Sequence, residues 1–463
     1  MLNPTRLGSL RSLSVILVLA LVAACGPAAS SPSPGATSTA GPGSPTTGPT
    51  EGPGGEVIFL STQLNPVTEA EALRTVILAD YPGGFAAANF VPATAAEFTD
   101  RVISEAALGE GGGQVGVLGG LHGDFSSLAA AGHLMDLSDL ADELSDRGFL
   151  GSYIELGRYE TDQQLFIPWM QATYIMAARA EAMQYLPEGA DQNALTWQQV
   201  TEWGSNIAAA GHGQRLGFPA GDMGLWHRFF QGFGLPAFTG RVNTAFNSPE
   251  AAAMWTWLRD TWQYVNPQST TYDFMQEPLQ SGEVWVAWDH VARLRDAFVN
   301  DAEGFVAMPA PAGPQGRAFM PVVAGLAIPK SAPDVEGAMS LIRYLTQPDI
   351  AAITLREVGF FPPFEAELPA DLDAGRRNMA DAVVALTGAS DALPALLPVG
   401  LGDQGGAYNA VFRSTFESIV IGNEDIQAVL DREAANLQTV LDTAGAACWS
   451  PDPPSEGPCQ VEQ

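Results

Sequence analysis

Side chains that commonly carry out catalysis or hold metals are scattered along this sequence of 463 residues and form no recognisable motif. The histidines are His122, His133, His212, His227 and His290. They show neither the i, i+4 helical spacing nor the neighbouring carboxylate that known metal sites use. The sequence also contains no Gly-x-Ser-x-Gly elbow, no His-Glu-x-x-His and no phosphate-binding glycine loop. We therefore predict no metal, no cofactor and no catalytic residue.

Polar and aromatic side chains near the ends of predicted strands are candidates for binding rather than catalysis. In open α/β sheets, ligands bind in the crevice beyond the carboxyl ends of the strands. The candidates at such positions are Gln63, His122, Asp124, Trp288 and Asp289. Asp124 is equally suited to capping the helix that begins near Phe125, and Gln63 to capping a nearby turn. Indole rings, amides and carboxylates together suit a small solute rich in hydroxyl groups.

Cys25 is a candidate for covalent modification. Arg6 and Arg11 accompany an apolar run over residues 13–22, and the small pair Ala23-Ala24 leads directly to the cysteine, as in a secretory signal. The run is shorter than the roughly 20 residues needed to cross a bilayer core. Residues 21–25, LVAAC, resemble the bacterial lipobox. We predict removal of the signal peptide 1–24 and lipidation of Cys25, which anchors the protein to the outer face of the membrane. An ordinary signal peptide with an incidental cysteine is the alternative.

The segment after this cysteine has the composition of a tether. Residues 26–55 consist almost entirely of Pro, Gly, Ser, Thr and Ala, with a single charge at Glu51. Such a segment offers no apolar surface to bury, so we predict that 25–55 is disordered. A coil of about 30 residues has a root-mean-square span of roughly 30 Å.

The two remaining cysteines, Cys448 and Cys459, lie close together in a Pro-rich C-terminal tail. Exported proteins meet an oxidising environment, where neighbouring thiols form disulfides. We predict a disulfide that closes a short loop; two free thiols are the alternative.

Charge and length limit the function classes that remain. The chain carries 21 basic and 52 acidic residues, a formal net charge of −31. Loss of the leader would leave 19 basic residues and a formal charge of −33. A nucleic-acid partner is therefore not expected. The body from residue 56 to about 447 is long enough for two domains or lobes.

The body alternates β-rich runs with amphipathic helical stretches, a pattern that predicts an α/β fold with parallel strands. Strands are predicted at 57–61, 88–91, 114–120, 283–288 and 325–329. Thr196 with Gln199, and Ser248 with Pro249, have the form of helix starts.

Several segments, taken in order along the body, are similar to the motifs of one protein family. They are TEAEALR, LGGLHGDF, LAAAGHLMDLSDL, IPWMQATYIM, LTWQQV, FNSPEAAAMWTWL, VWVAWDHV, AGLAIPKSAPDVEGAMSLIRYLTQPD and GFFPPF. Each alone has an ordinary structural explanation. Together, behind a lipobox, they resemble the extracellular solute-binding proteins of ABC transporters, in particular the sugar-type family 1 that is similar to maltose-binding protein.

The resemblance implies a two-lobed periplasmic-binding-protein-like (type II) fold with an interlobe hinge. Lobe one would comprise 56–168 with 324–360, lobe two 169–323 with 361–447, and a tail 448–463 would follow. A small solute, expected to be a sugar or oligosaccharide, would be caught in the cleft as the lobes close. A monomer would then deliver it to the permease subunits of the transporter.

The resemblance also adds candidate ligand-binding residues around the cleft and hinge. These are Trp169, Gln171, Trp226 and Phe361, beside the Trp288 already named. One departure concerns the family's frequent Gly-Gly-Trp element, which is replaced here by the aliphatic residues 322–325. An aromatic stacking partner usually supplied from that loop is therefore missing or comes from elsewhere in the chain.

Two other functions fit parts of the sequence. A secreted surface glycoside hydrolase would also use Trp and carboxylates in a cleft, but needs a pair of carboxylates facing each other across it. A structural lipoprotein would explain the anchor and tether but not the family motifs. We therefore expect binding without turnover.

Overall fold

The computed structural model describes residues 56–65, 67–159, 161–364 and 368–462. The predicted signal peptide, Cys25 and tether lie outside the described residues. The strands are β1 (Val57–Ser61), β2 (Ala88–Pro92), β3 (Val115–Leu121), β4 (Ile167–Ala172), β5 (Tyr174–Arg179), β6 (Leu216–Gly217), β7 (Val286–His290), β8 (Phe305–Met308), β9 (Arg317–Phe319), β10 (Val322–Ala327) and β11 (Ala392–Pro394).

Helices cover both lobes. They are α1 (Val67–Ala72), α2 (Gly84–Ala87), α3 (Ala95–Ala106), α4 (His122–Ala130), α5 (Ser138–Glu143), α6 (Gly151–Leu156), α7 (Trp197–Ile207), α8 (Trp226–Phe229), α9 (Leu235–Thr239), α10 (Pro249–Trp262), α11 (Gln276–Ser281), α12 (Val291–Asn300), α13 (Val335–Leu345), α14 (Pro348–Val358), α15 (Ala374–Thr387), α16 (Gly405–Phe416) and α17 (Ile426–Ala444). No helix in the described part of the chain is both long and apolar enough to cross a bilayer.

The first lobe is built on a five-stranded sheet of order β2-β1-β3-β10-β4. Strands β1, β2 and β3 are parallel, as predicted, whereas β10 runs antiparallel to both β3 and β4. The three parallel strands are nearly continuous apolar runs, as expected where helices cover both faces of a sheet. Phe59, Phe90 and Trp169 pack edge to face in its core.

The second lobe contains a four-stranded sheet of order β6-β7-β5-β8. Here β5 is antiparallel to both β7 and β8, and only β6 and β7 are parallel. The prediction of parallel strands therefore holds for the first three strands of lobe one but not for most of this sheet. Apolar runs identify strands but do not encode the direction of the neighbour.

Helix starts were readable from local sequence because their hydrogen bonds are local. The Thr196 hydroxyl accepts from the backbone N–H of Gln199 at 3.2 Å, and the Gln199 side chain accepts from the N–H of Thr196 at 2.9 Å. The Ser248 hydroxyl accepts from the N–H of Ala251 at 3.1 Å, with Pro249 at the first helical position. Both predicted helix starts are confirmed.

The chain passes between the sheets at closely packed crossings. Thr173 alone separates β4 from β5, and Met320-Pro321 separates β9 from β10. The Thr173 hydroxyl donates to the Met320 carbonyl at 2.9 Å, so these two crossings are joined. The predicted lobe boundaries at 168–169 and 323–324 fall inside β4 and β10, because the sequence is apolar on both sides of each crossing.

The C-terminal tail is docked on the second lobe. Cys448 and Cys459 form a disulfide, and Cys459 is fully buried. Between them, Asp452 is buried and accepts hydrogen bonds from the segment Val242–Thr244. Trp449 packs against Tyr408 with ring centroids 5.5 Å apart. The tail is therefore an integral part of this lobe.

Candidate functional site

The lobes meet where the first turn of α4 approaches the segment after β11. His122, the first residue of α4, is 1% exposed. A Cβ added at Gly123 would lie 3.4 Å from the carbonyl oxygen of Pro398. Glycine is thus placed where the backbones of the two lobes come close. The contact brings a strand end of lobe one against lobe two.

Asp124 fastens the start of α4 to the end of β1. Its Oδ2 accepts from the Thr62 hydroxyl at 2.6 Å and from the N–H of Leu121 at 2.9 Å. Gln63 donates from Nε2 to the same Thr62 hydroxyl at 3.1 Å. Burial raises the pKa of the Asp124 carboxyl. The carboxylate therefore carries out the helix-capping role considered from the sequence, and its predicted ligand contact stays a prediction.

His122 is a buried imidazole without a hydrogen-bond partner. Neither ring nitrogen has a partner of proper geometry, although backbone groups of Leu397 and Val323 lie nearby. Burial lowers its pKa to about 4, and the positive charge of Arg228 from the other lobe acts in the same direction. The ring is therefore neutral at pH 7, with one nitrogen that can donate and one that can accept a hydrogen bond.

Trp288 and Asp289 lie within β7, not directly after a strand as predicted. Because neighbouring residues of a strand point to opposite faces, they belong to different surroundings. Trp288 is fully buried, stacks on Tyr174 at 4.7 Å and meets Phe233 edge to face at 5.0 Å. The Asp289 carboxylate accepts from the N–H groups of Met275 and His290 at 2.9 and 2.7 Å.

Burial raises the pKa of Asp289 to about 6, and the nearby Arg293 partly offsets this rise. The Trp288 ring and the Asp289 carboxylate therefore have different surroundings, and the ligand contact predicted for each stays a prediction. The strand was expected to end at 288 but continues to His290, and this shift explains the error.

The other two candidate tryptophans pack in the cores of different lobes. Trp226 begins α8 and stacks on Phe229 at 4.5 Å. Its ring lies 6.1 Å from that of Trp288, so these two are brought together. Trp169 lies in lobe one, 5.5 Å from Phe59. All three are at most 1% exposed, and their ligand contacts stay predictions.

Gln171 and Phe361 form part of the hinge. Their backbones exchange two hydrogen bonds of 2.8 Å. The Gln171 side chain donates to the Pro362 carbonyl at 2.9 Å and accepts from the Tyr153 hydroxyl at 2.5 Å. Its amide is thus already bonded within the protein, which favours a positioning role for this residue in the present arrangement.

A group of basic side chains in lobe two was missed by the sequence analysis. The arginines Arg228, Arg293 and Arg413 all lie close enough to His227 to lower its pKa, which burial reduces to about 3. None of these arginines has a carboxylate within 4.0 Å among the described residues. The available signal was the adjacent pair His227-Arg228 in a chain with few basic residues.

Surface cavities do not identify this region. One of about 220 Å³ is lined by Ser138, Phe149 and Arg158 of lobe one, and another of about 230 Å³ by Asn247, Asp431 and Gln438 of lobe two. Both lie away from the contact between α4 and lobe two. The described residues contain no group of three or more His, Cys, Asp or Glu side chains placed to hold a metal.

Solved structures with the same fold are numerous. The maltose-bound MalE3 of T. maritima is 19% identical, with a TM-score of 0.63 over 84% of this chain and 100% of that one. UgpB from Mycobacterium tuberculosis, in complex with glycerophosphocholine, is 20% identical, with a TM-score of 0.62 over 84% of this chain and 99% of that one.

The sugar-binding protein MalE of Xanthomonas citri is 15% identical, with a TM-score of 0.65 over 83% of this chain and 97% of that one. These similarities confirm the predicted two-lobed type II fold.

Sequence comparison gives the family directly. No curated protein matches this chain. Residues 87–352, more than half of the chain, match the family described as "Bacterial extracellular solute-binding protein". This confirms the resemblance predicted from the segment order, and the chain belongs to the bacterial extracellular solute-binding proteins.

Proposed function

We propose that this protein is the lipid-anchored solute-binding component of an ABC importer. It captures a small oxygen-rich solute, of the sugar or oligosaccharide class, between its lobes and delivers it to the membrane permease. The observation that carries this proposal is the close contact between the start of α4 in lobe one and the segment at Pro398 in lobe two. A solute held there would touch both lobes and favour the closed state.

The structures of similar fold support the solute class. The T. maritima and Xanthomonas citri proteins are described as bound to maltose and as sugar-binding, respectively. The Mycobacterium tuberculosis protein holds glycerophosphocholine. These compounds share many oxygen acceptors on a small frame, which suits the unpartnered His122 nitrogens at the lobe contact.

Solute binding can be tested on protein that starts at residue 26 and therefore lacks the lipid. We expect some member of a panel of sugars and polyols to raise the melting temperature and change the tryptophan fluorescence, without being consumed. A solute with a dissociation constant of about 1 μM binds with about −8.2 kcal/mol. At a 100-fold excess over that constant it stabilises the fold by about 2.7 kcal/mol.

The outcomes of the panel separate the alternatives. Release of product from a glycoside would favour a hydrolase. No response to any solute would contradict the proposal and leave a structural lipoprotein.

The anchor needs a separate experiment. The substitution Cys25→Ser should release the protein from the membrane fraction and abolish incorporation of labelled palmitate. Cys448→Ser is the matched control, because it removes a thiol that is not proposed to carry lipid. Unchanged palmitate labelling of the Cys25→Ser variant would contradict the lipid assignment.

A further inference from the structure

Arg228 is a cation that the protein itself does not neutralise. A guanidinium has five N–H donors, yet the one hydrogen bond described for it goes to the neutral Gln231 amide oxygen at 3.1 Å. Gln231 in turn donates to Asn409 at 2.9 Å. No described carboxylate lies within 4.0 Å of the guanidinium. The Arg228 side chain is half-buried. Charges partly withdrawn from water are normally paired, and this one has no described acidic partner.

The surroundings of Arg228 are themselves poor in negative charge. Arg293 lies over the Phe274 ring at 4.5 Å and donates to the Asp273 carbonyl at 3.1 Å. Arg413 donates to the carbonyls of Gly221 and Asp222 at 2.6 and 2.9 Å. Both of these arginines are satisfied by neutral backbone oxygens. Arg293 also attracts the nearby Asp289 carboxylate, so Arg228 and Arg413 are the two arginines of this group without an acidic neighbour named among the described residues.

Asp289, an acid buried in the same lobe, is not paired with Arg228. The Asp289 carboxylate is on the other face of β7, and its oxygens are bonded to the N–H groups of Met275 and His290. Only the hydroxyl groups of Tyr174 and Tyr408 act to stabilise the charged form of Arg228, against the burial that lowers its pKa. Neither phenol is ionised at neutral pH, because burial raises the pKa of both.

The position of Arg228 is at the contact between the lobes. Arg228 lies close enough to His122 of lobe one for its positive charge to lower the pKa of that imidazole. Neither ring nitrogen of His122 has a hydrogen-bond partner of proper geometry. On its own lobe, the neighbouring His227 is buried with Nδ1 unpartnered. Unused hydrogen-bonding nitrogens therefore come from both sides of the closure. Each neutral imidazole offers one N–H donor and one acceptor nitrogen, so the requirement for negative charge in a ligand comes from Arg228.

We propose that the solute carries an anionic group, a phosphate or a carboxylate, and that Arg228 binds it between the lobes with His122 and His227. This inference rests on the proposed function and narrows its solute class from neutral sugars to negatively charged polyols. The planar guanidinium suits both anions, because it can donate two parallel hydrogen bonds to a pair of oxygens. Closure of α4 onto lobe two would then bury the anion beside the Arg228 guanidinium.

The first test compares anionic with neutral solutes on the protein that starts at residue 26. Glycerol 3-phosphate, glucuronate, inorganic phosphate and maltose are titrated by calorimetry and by melting temperature. We expect glycerol 3-phosphate or glucuronate to bind, and maltose not to bind. Comparison of the first two distinguishes a phosphate from a carboxylate site, and inorganic phosphate shows whether the anion alone is sufficient.

The second test uses variants of the arginine with a matched control. Arg228→Gln should weaken binding of the anionic solute by about 100-fold, and Arg228→Lys by about tenfold, because lysine keeps the charge but loses the paired donors. Arg259→Gln on α10 removes the same charge from the same lobe and should leave binding unchanged. Melting temperatures without solute show that each variant is folded.

The outcomes separate this inference from the proposed function. Binding of maltose with equal affinity by the wild type and Arg228→Gln, with no response to either anion, would overturn the anionic class while leaving solute capture intact. Anion binding that Arg228→Gln does not weaken would overturn the role of this residue. Failure of both solute classes to bind would contradict the proposed function itself.

Discussion

Two charged groups of lobe two, Asp452 and Arg228, are treated in opposite ways by the fold. Asp452 is 4% exposed and accepts from five donors of the segment Val242–Thr244. Arg228 has one described hydrogen bond, to a neutral amide. The Asp452 carboxylate is fully hydrogen-bonded within the protein and holds the tail in place. The second group is left incomplete at the lobe contact, as expected of a group that serves a ligand.

The largest effect should come from the aromatic core that lies between these two regions. Trp288→Ala removes a fully buried ring that stacks on Tyr174. We expect a loss of about 3–5 kcal/mol in the free energy of unfolding, typical of deleting a large core aromatic. Urea denaturation measures this. A stable variant with weakened solute binding would instead place Trp288 in the cleft.

Removing the satisfied carboxylate should cost almost as much. Asp452→Ala leaves three backbone N–H groups and two side-chain donors of Val242–Thr244 without an acceptor. We expect a loss of about 3 kcal/mol in the free energy of unfolding, measured by urea denaturation, with solute affinity unchanged. Asp431→Ala, on the exposed face of α17, is the control and should behave as wild type. Loss of affinity in Asp452→Ala would weaken the division between the two regions.

The disulfide around Asp452 should contribute somewhat less. Cys448 and Cys459 are separated by 11 positions, and closing a loop of this length stabilises a fold by about 2–3 kcal/mol. The double substitution to serine should lower the free energy of unfolding by that amount. Solute affinity should again be unchanged, because the tail lies away from the lobe contact. A full loss of binding would show that the tail positions the site.

The lobe contact, in contrast to the tail, should respond to pH. His122, His227 and His290 have pKa values lowered to about 4, 3 and 3 by burial. Each of these histidines binds fewer protons in the folded protein than in the unfolded chain. Its contribution to the free energy of unfolding is therefore complete above about pH 6.5 and is lost as pH falls. The loss is about 1.4 kcal/mol per pH unit for each histidine.

Asp289 acts in the opposite sense, because its raised pKa of about 6 favours the folded state as pH falls. It therefore offsets the loss of stability caused by about one of the histidines. We therefore expect net destabilisation between pH 6.5 and 5, measured by melting temperature. His227→Gln should make this dependence shallower. An unchanged slope would show that His227 is not buried as described.

The smallest effect on stability should come from Arg228 itself. Without solute, Arg228→Gln should unfold at the same temperature as wild type or slightly higher, because it removes a charge that no carboxylate neutralises. A marked destabilisation would indicate that the arginine is structural, like Asp452, and would remove the contrast between the two.

Much of the fold could be predicted because its signals are local. Thr196 and Ser248 cap helices through hydrogen bonds to residues three positions later. Three parallel strands of lobe one follow apolar runs bounded by turn residues. The candidate site was harder: the strand was predicted at 283–288, whereas β7 covers 286–290, so Trp288 and Asp289 lie inside the strand and not after it. Arg228 was missed because its candidate role depends on whether a carboxylate lies beside it in the folded protein. Among the described residues none does, and the sequence does not show this.

The sequence by itself indicated the family, which depends on the order of segments along the chain, and the helix starts at Thr196 and Ser248, which depend on neighbouring residues. Only the tertiary structure decided which polar groups are already bonded. Gln171 is bonded to Pro362, 191 positions away, and Asp452 to Val242, 210 positions away. Burial and pairing depend on such distant partners, and they distinguish a carboxylate that stabilises the fold from an arginine available to a solute.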